Sequence, residues 1–253
     1  MKPRPRRTRR VPTPRPGSSA PTLRILITAG PTVEDIDPVR FISNRSSGKL
    51  GVEVTSAMLK AGFGAVLVHG PVGDSVMKAI KRLQQRKANT VAVRSAAEMH
   101  RAVVAESRNV DAIVMTAAVA DFTPASQSDT KLKKVDSDHR LKLIPTVDIL
   151  GDLGRRKGKR DRPILIGFAL ETGTGRTAAL RAQSQLTEAQ RKLHAKNLDA
   201  IVLDSPRTMG ADDGDFRILF RDGTGLDCSG MTKPQLAKLL VEVIETLRQK
   251  TSR

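Results

Sequence analysis

The sequence has no tryptophan or tyrosine, and its only aromatic residues are six phenylalanines; it has one cysteine. Cys228 alone excludes an intramolecular disulfide and gives no sign of an oxidising compartment. A chain of 253 residues is long enough to bury a sizeable core, and with so few rings that core must be aliphatic. The same scarcity removes the material for an RNA-binding platform of stacked aromatics. No apolar run approaches the ~18 residues of a membrane-spanning helix. The Arg-rich N-terminus lacks the apolar stretch of a secretory signal, so a cytoplasmic protein without a membrane partner is expected. Two nucleotide signatures are also missing: G-x-G-x-x-G, which counts against a nicotinamide-dependent oxidoreductase, and G-x-x-x-x-G-K-[ST]. There is no serine elbow and no metal-ligand cluster, and Cys228, His69, His100, His139 and His194 are read as structural or surface residues.

What is present in excess is positive charge, +18 overall. Lys and Arg neutralise phosphates and release counterions, so this charge invites a nucleic-acid reading. Its distribution weakens that reading. Residues 1–22 hold seven Lys and Arg and no acid, and removing those seven leaves +11 over the remaining 231 residues. This Pro-, Arg- and Ser-rich stretch has the composition of a disordered tail. Nucleic acid is expected to bind weakly at most, through the tail.

From Leu23 onward, short aliphatic runs alternate with amphipathic stretches. Strands are predicted at Arg24–Thr28, Ala65–His69, Thr90–Val93, Ala112–Met115, Ile164–Phe168 and Ala200–Leu203, and helices at Gly51–Ala61, Ser95–Glu106 and over a long segment ending near Lys196. Runs such as LRILIT and PILIGFA are apolar almost throughout, as parallel strands covered on both faces must be. The expected class is α/β: one domain over 23–253, a doubly wound, mostly parallel Rossmann-like sheet with a small hairpin arm. Alternation in KLKK (Lys131–Lys134) and RLKLI (Arg140–Ile144) suggests the two strands of that arm. Arg217–Arg221, a turn at Asp222–Gly225 and the segment to Cys228 suggest a second hairpin beside the main sheet, followed by a helix over Lys233–Leu247.

Ligands of such sheets lie beyond the carboxyl ends of the strands. After the first strand comes TAGPTVEDIDPVRFISNRSSGKLG, Thr28–Gly51. Its small residues, Gly30, Ser46, Ser47, Gly48 and Gly51, open a helix whose N–H groups can face an anion, although the spacing fits a plain cap as well. Asp37 and Arg40 fit a structural ion pair holding this long loop, while Asn44 has donor and acceptor capacity for an amide-forming centre. After the fourth strand, TAAVADFTP leaves room for a flat ring at Ala117 and Ala118, with Asp121 in reach of a ribose hydroxyl or a metal. Tight packing and a turn cap are the plainer alternatives. The lysines of KLKK supply point charges for a phosphate chain or form a solvated loop.

Together these blocks, with TVDIL (Thr146–Leu150), IGFALET (Ile166–Thr172) and KNLDAIV (Lys196–Val202), occur in one order over about 180 residues. The ordered set resembles the phosphopantothenoylcysteine synthetases, the second half of a bacterial bifunctional coenzyme A biosynthesis flavoprotein. The resemblance implies a ligase that joins 4′-phosphopantothenate to L-cysteine through an acyl-cytidylate, with CTP as co-substrate, Mg²⁺ as cofactor and a homodimer as the assembly. The bacterial wording of DPVRFISNRSSGK favours CTP over ATP. It implies nucleotide contacts from Met115, Ala117, Ala118, Asp121, Lys131, Val147, Asp148, Ile149, Leu150, Phe168, Lys192 and Lys196, and substrate contacts from Arg40, Asn44, Ser46, Ser47 and Gly48. Asn44 and Lys131 would be catalytic. The chain departs from the family pattern at Val147, at Asp204 and over Ser205–Asp215. Only the tail stands upstream of Leu23, so the decarboxylase acting downstream is expected to be a separate protein. A non-catalytic nucleotide- or nucleic-acid-binding α/β protein is the reading from another class.

Overall fold

The computed structural model describes residues 23–134, 140–204, 208 and 212–250. The tail, His139 and most of Ser205–Asp215 lie outside them. The elements run β1 (Arg24–Ala29), β2 (Val33–Asp35), β3 (Phe41–Ser43), α1 (Lys49–Lys60), β4 (Gly64–His69), α2 (Asp74–Gln85), β5 (Asn89–Ala92), α3 (Ala96–Glu106), β6 (Ala112–Met115), β7 (Phe122–Pro124) and β8 (Leu143–Pro145). They continue with α4 (Ile149–Lys157), β9 (Ile164–Leu170), α5 (Ala178–Ala195), β10 (Ala200–Asp204), β11 (Asp213–Phe220), β12 (Gly225–Thr232) and α6 (Lys233–Lys250).

The main sheet has the order β12-β11-β10-β9-β6-β1-β4-β5. From β5 to β10 every neighbouring pair is parallel. The chain winds outward from β1 through β4 to β5, then returns to pair β6 against the other side of β1. That reversal opens a crevice between the carboxyl ends of β1 and β6, where ligands of doubly wound sheets bind.

Alternate residues of each strand serve opposite faces. Ile25, Ile27 and Ala29 pack with Val54 and Met58 of α1, Ile80 of α2 and Leu240 and Ile244 of α6. Leu26 faces the other way, toward Met99 of α3, Leu153 of α4 and Leu193 of α5. Covering both faces explains the absence of polar alternation in the strands. Each fully buried Ile or Leu contributes roughly 1.5–3 kcal/mol.

Two predicted pairings are corrected. The strand partner of the RLKLI segment is β7, through Phe122↔Pro145 and Pro124↔Leu143, and not KLKK, which forms no strand. The C-terminal hairpin does not sit beside the sheet but extends it, β11 pairing antiparallel with β10. Two helices, α2 and α4, were not foreseen.

On the second face, α3 and α4 are tied by Asp152, which accepts hydrogen bonds from His100 Nε2 at 2.8 Å and Arg156 Nε at 2.7 Å. These two partners, against a smaller burial penalty, lower its carboxyl from the ordinary 3.8 to about 2. A depressed folded-state value contributes stability that is full above the unfolded value and lost as pH falls through the folded one. The melting-temperature advantage of the native chain over Asp152→Asn is therefore expected to be constant above pH ~4 and to shrink toward pH ~2. Thermal melts across that range check it.

Candidate functional site

Beyond the carboxyl ends of β1, β6 and β9 lies a cleft of about 610 Å³, a size suited to a nucleotide-sized ligand. One wall is the backbone of residues 116–121, stitched to the extension of β1. Ala117 N donates to Thr28 Oγ1 at 3.1 Å, Ala118 N to Gly30 O at 3.0 Å and Ala120 N to Thr32 Oγ1 at 2.9 Å. Thr146 closes the stretch, its hydroxyl donating to Ala120 O at 2.6 Å and its N–H to Asp121 O at 2.9 Å. Two alanines in an immobilised backbone make a flat surface open to a planar group.

The opposite wall is the entry to α1. Gly48 precedes the helix with φ 79°, and its Cβ would lie 2.8 Å from Val72 Cγ1, so a side chain there is both strained and obstructed. Gly48 offers no side chain to cap α1, and the first turn has only a long side-chain contact, Lys49 N donating to Ser47 Oγ at 3.4 Å; its first N–H groups sit at the cleft between Ser47 and Gly51. Cations outnumber acids around the cleft: Arg45, Lys49, Lys192, Lys196 and Lys233 against Asp121, Asp148 and Asp204. With a helix N-terminus added, this surface favours an anion.

Between the walls, Asn44 Nδ2 donates to Ala118 O at 3.2 Å and Val119 O at 3.0 Å. Both partners are pure acceptors, which fixes the amide orientation. Oδ1 remains as an acceptor at the cleft wall. On the far side, Lys196 binds Asp148 Oδ1 at 2.9 Å and Lys192 binds Glu171 Oε1 at 2.5 Å. Asp148 also caps α4 through Gly151 N at 3.0 Å. Burial pushes its carboxyl up, but the Gly151 and Lys196 hydrogen bonds outweigh this and hold it below the usual value.

Of the residues singled out from the sequence, Asn44, Ser46, Ser47, Gly48, Met115, Ala117, Ala118, Asp121, Val147, Asp148, Ile149, Leu150, Phe168, Lys192 and Lys196 line this cleft, whereas Arg40 and Lys131 do not. Arg40 is paired with buried Asp37 through Nη2 and, at 3.0 Å, Nε. The same carboxylate accepts from Leu132 N at 3.2 Å, and Arg40 Nη2 donates to Leu132 O at 2.9 Å. The Arg40 guanidinium, helped by three backbone N–H groups, holds Asp37 well below the carboxylate range. Lys131 is thus attached to the loop around Asp37 and exposed. Lys49 and Lys233 were not foreseen as cleft residues. Lys49 follows the helix-opening glycine, a readable signal; Lys233 arrives from the far end of the chain. Burial, and secondarily the charge of Lys49, push the Lys233 ammonium below the usual lysine value.

Residues 21–247 match the family model described as the DNA/pantothenate metabolism flavoprotein C-terminal domain. The chain belongs to this family. It is 38% identical over 231 residues to the coenzyme A biosynthesis bifunctional protein CoaBC of Bacillus subtilis, covering 90% of this chain and 52% of that protein. It is 44% identical over 188 residues to a cysteine/cysteine sulfinic acid decarboxylase of an unidentified prokaryote, covering 74% of this chain and 47% of that one. The chain thus spans about half the length of these curated relatives. Among solved structures, the C-terminal domain of a CoaBC protein superposes with a TM-score of 0.69 at 33% identity, over 90% of this chain and 96% of that one.

Proposed function

We propose that this domain is a phosphopantothenate–cysteine ligase that uses CTP. The observation that carries the proposal is the convergence on one cleft of a flat backbone wall, an anion-seeking helix entry and, between them, an amide with a spare acceptor. Membership of the pantothenate-metabolism family supports the substrate class.

In the first step a carboxylate oxygen of 4′-phosphopantothenate attacks the α-phosphorus of CTP, and the bond to the bridging oxygen breaks to release pyrophosphate. In the second, the amine of L-cysteine attacks the activated carbonyl, the acyl–phosphate bond breaks, and CMP leaves while the amine gives up a proton. The base rests on Ala117–Asp121 and Phe168. The phosphates lie toward Ser46–Gly51, Lys49 and Lys233. Positioning and charge stabilisation supply the catalysis, with no side-chain nucleophile.

Among the described residues no three His, Cys, Asp or Glu side chains form a metal cluster. Magnesium fits nonetheless, because it takes one or two carboxylates together with substrate phosphates, and Asp121, at the cleft wall, would hold it. When bound it neutralises charge on the triphosphate. Lys131 reaches the phosphates if its segment swings toward the cleft or is lent by a second copy. A homodimer is supported by exposed Phe41, Phe122, Leu143 and Ile144 on β3, β7 and β8.

The test incubates the purified chain with phosphopantothenate, L-cysteine and each nucleoside triphosphate, and measures pyrophosphate and nucleoside monophosphate. Cysteine-dependent CMP formation with CTP is expected. Equal turnover with ATP would reassign the nucleotide, and carbon dioxide released from cysteine or its sulfinate without nucleotide would move the chain to the decarboxylase reading. Silence with every triphosphate would end the proposal.

A further inference from the structure

The end of the sheet opposite the cleft carries charge that the site does not use. Residues 155–162 hold six cations against one carboxylate, Asp161. Four of the six, Arg156, Lys157, Arg160 and Arg162, rim a second cavity of about 460 Å³ with Arg108 from the segment after α3, and Arg155 and Lys159 stand beside it in sequence. Five of its ten lining residues are Arg or Lys and none is acidic, while Val104, Ser107, Val110, Leu153 and Pro163 line the remainder.

Helix electrostatics account for part of this. Arg155, Arg156 and Lys157 occupy the last turn of α4, where cations are favoured. Lys157 binds Asp199 at 2.5 Å and Arg156 binds Asp152 at 2.7 Å. Arg108 and Lys159 have no such role: both are exposed and neither makes an ion pair among the described residues. Arg162 marks where the cluster meets the N-terminus. Its Nη1 donates to Asp111 Oδ1 at 2.5 Å, and Asp111 Oδ2 accepts from Arg24 N, the first residue of β1, at 2.9 Å. Residues 1–22, with seven cations and no acid, therefore join the fold at Leu23, beside the arginine-rimmed cavity.

We infer that this end of the sheet docks the phosphodiester backbone of nucleic acid without sequence preference. Guanidinium forks around a concavity match individual phosphates. No aromatic residue lines the cavity, so bases have nothing to stack on and affinity rests on the backbone. A bilayer fits less well, because the apolar residues here are recessed beneath the charged rim and none projects to insert.

The test measures fluorescence anisotropy of a labelled oligouridylate with the full chain over a series of salt concentrations. The triple variant Arg108→Gln/Lys159→Gln/Arg162→Gln is expected to bind ~10-fold more weakly at low salt, and its slope of log affinity against log salt to be shallower by up to ~2, at ~0.7 per lost phosphate contact. Lys78→Gln/Lys81→Gln/Arg82→Gln removes the same charge from α2 on the other face of the sheet and is expected to change affinity less than ~2-fold. Equal losses in the two variants, or an unchanged slope in the first, would overturn the inference. So would phosphatidylserine vesicles whose binding needs these residues when oligouridylate binding does not. If the triple variant melts early, Arg108→Gln alone, which breaks no ion pair, carries the same reading with a slope change of up to ~0.7.

Discussion

Asn44→Asp is expected to reduce cysteine-dependent CMP release by ~10²–10³-fold, the range lost when one donor or acceptor aimed at a developing charge is removed, while pyrophosphate release without cysteine falls much less. The asymmetry follows from the geometry of the amide. Nδ2 spends its two hydrogens on Ala118 O and Val119 O, which leaves Oδ1 to accept from the incoming amine as it approaches the activated carbonyl. An aspartate presents oxygen to those two backbone carbonyls, is repelled by them and leaves the position that orients the amine. The backbone wall proposed to hold the base is unchanged, so the first step is expected to be spared. Quench-flow assays of the two products, with and without cysteine, separate the steps. Equal losses in both would move Asn44 from the amine to the nucleotide.

Gly51→Val is expected to remove about 3 kcal/mol or more of stability, lowering the melting temperature by ~10 °C, and to abolish turnover at temperatures where the native chain works. A Cβ at this position would lie 2.5 Å from Ala29 Cβ and 2.8 Å from both Thr116 Oγ1 and Thr28 O. One of these is main chain and another is locked, since Thr116 Oγ1 donates to Thr28 O at 2.5 Å. Nothing flexible can give way, so α1 must move off β1. Because a domain has only 5–15 kcal/mol in hand, the loss is a large share of the whole. Calorimetry measures it. A melting temperature within a degree or two of native would show that α1 can shift freely, contrary to the contacts.

The six parallel strands were legible because burial on both faces forces unbroken apolar runs, and their predicted limits fall within two residues of those found. Helix α2 could have been read as well: Val76, Ile80 and Leu83 stand at i, i+4 and i+7 on one face. Helix α4 was obscured by Gly151 and Gly154, which lower helix propensity within a nine-residue segment. The arm failed for another reason. Alternation in KLKK and RLKLI reports which side chains share a face, but it does not name a partner, and β8 found one in the strand leading out of the alanine wall. Most of the cleft could be selected from local motifs. Lys233 could not, because only the closure of the sheet brings the start of α6 beside Lys49. The threonines that pin the wall, Thr28, Thr32 and Thr146, were invisible for a related reason: their partners are main-chain atoms of remote segments.

The position of α6 also orders events during synthesis. Its side chains Leu236, Leu240 and Ile244 complete the apolar layer on α1, and Lys233 completes the cationic end of the cleft. A nascent chain emerging from the ribosome in sequence order therefore leaves part of the α1 face of its sheet open, and lacks one cation of the cleft, until α6 is released.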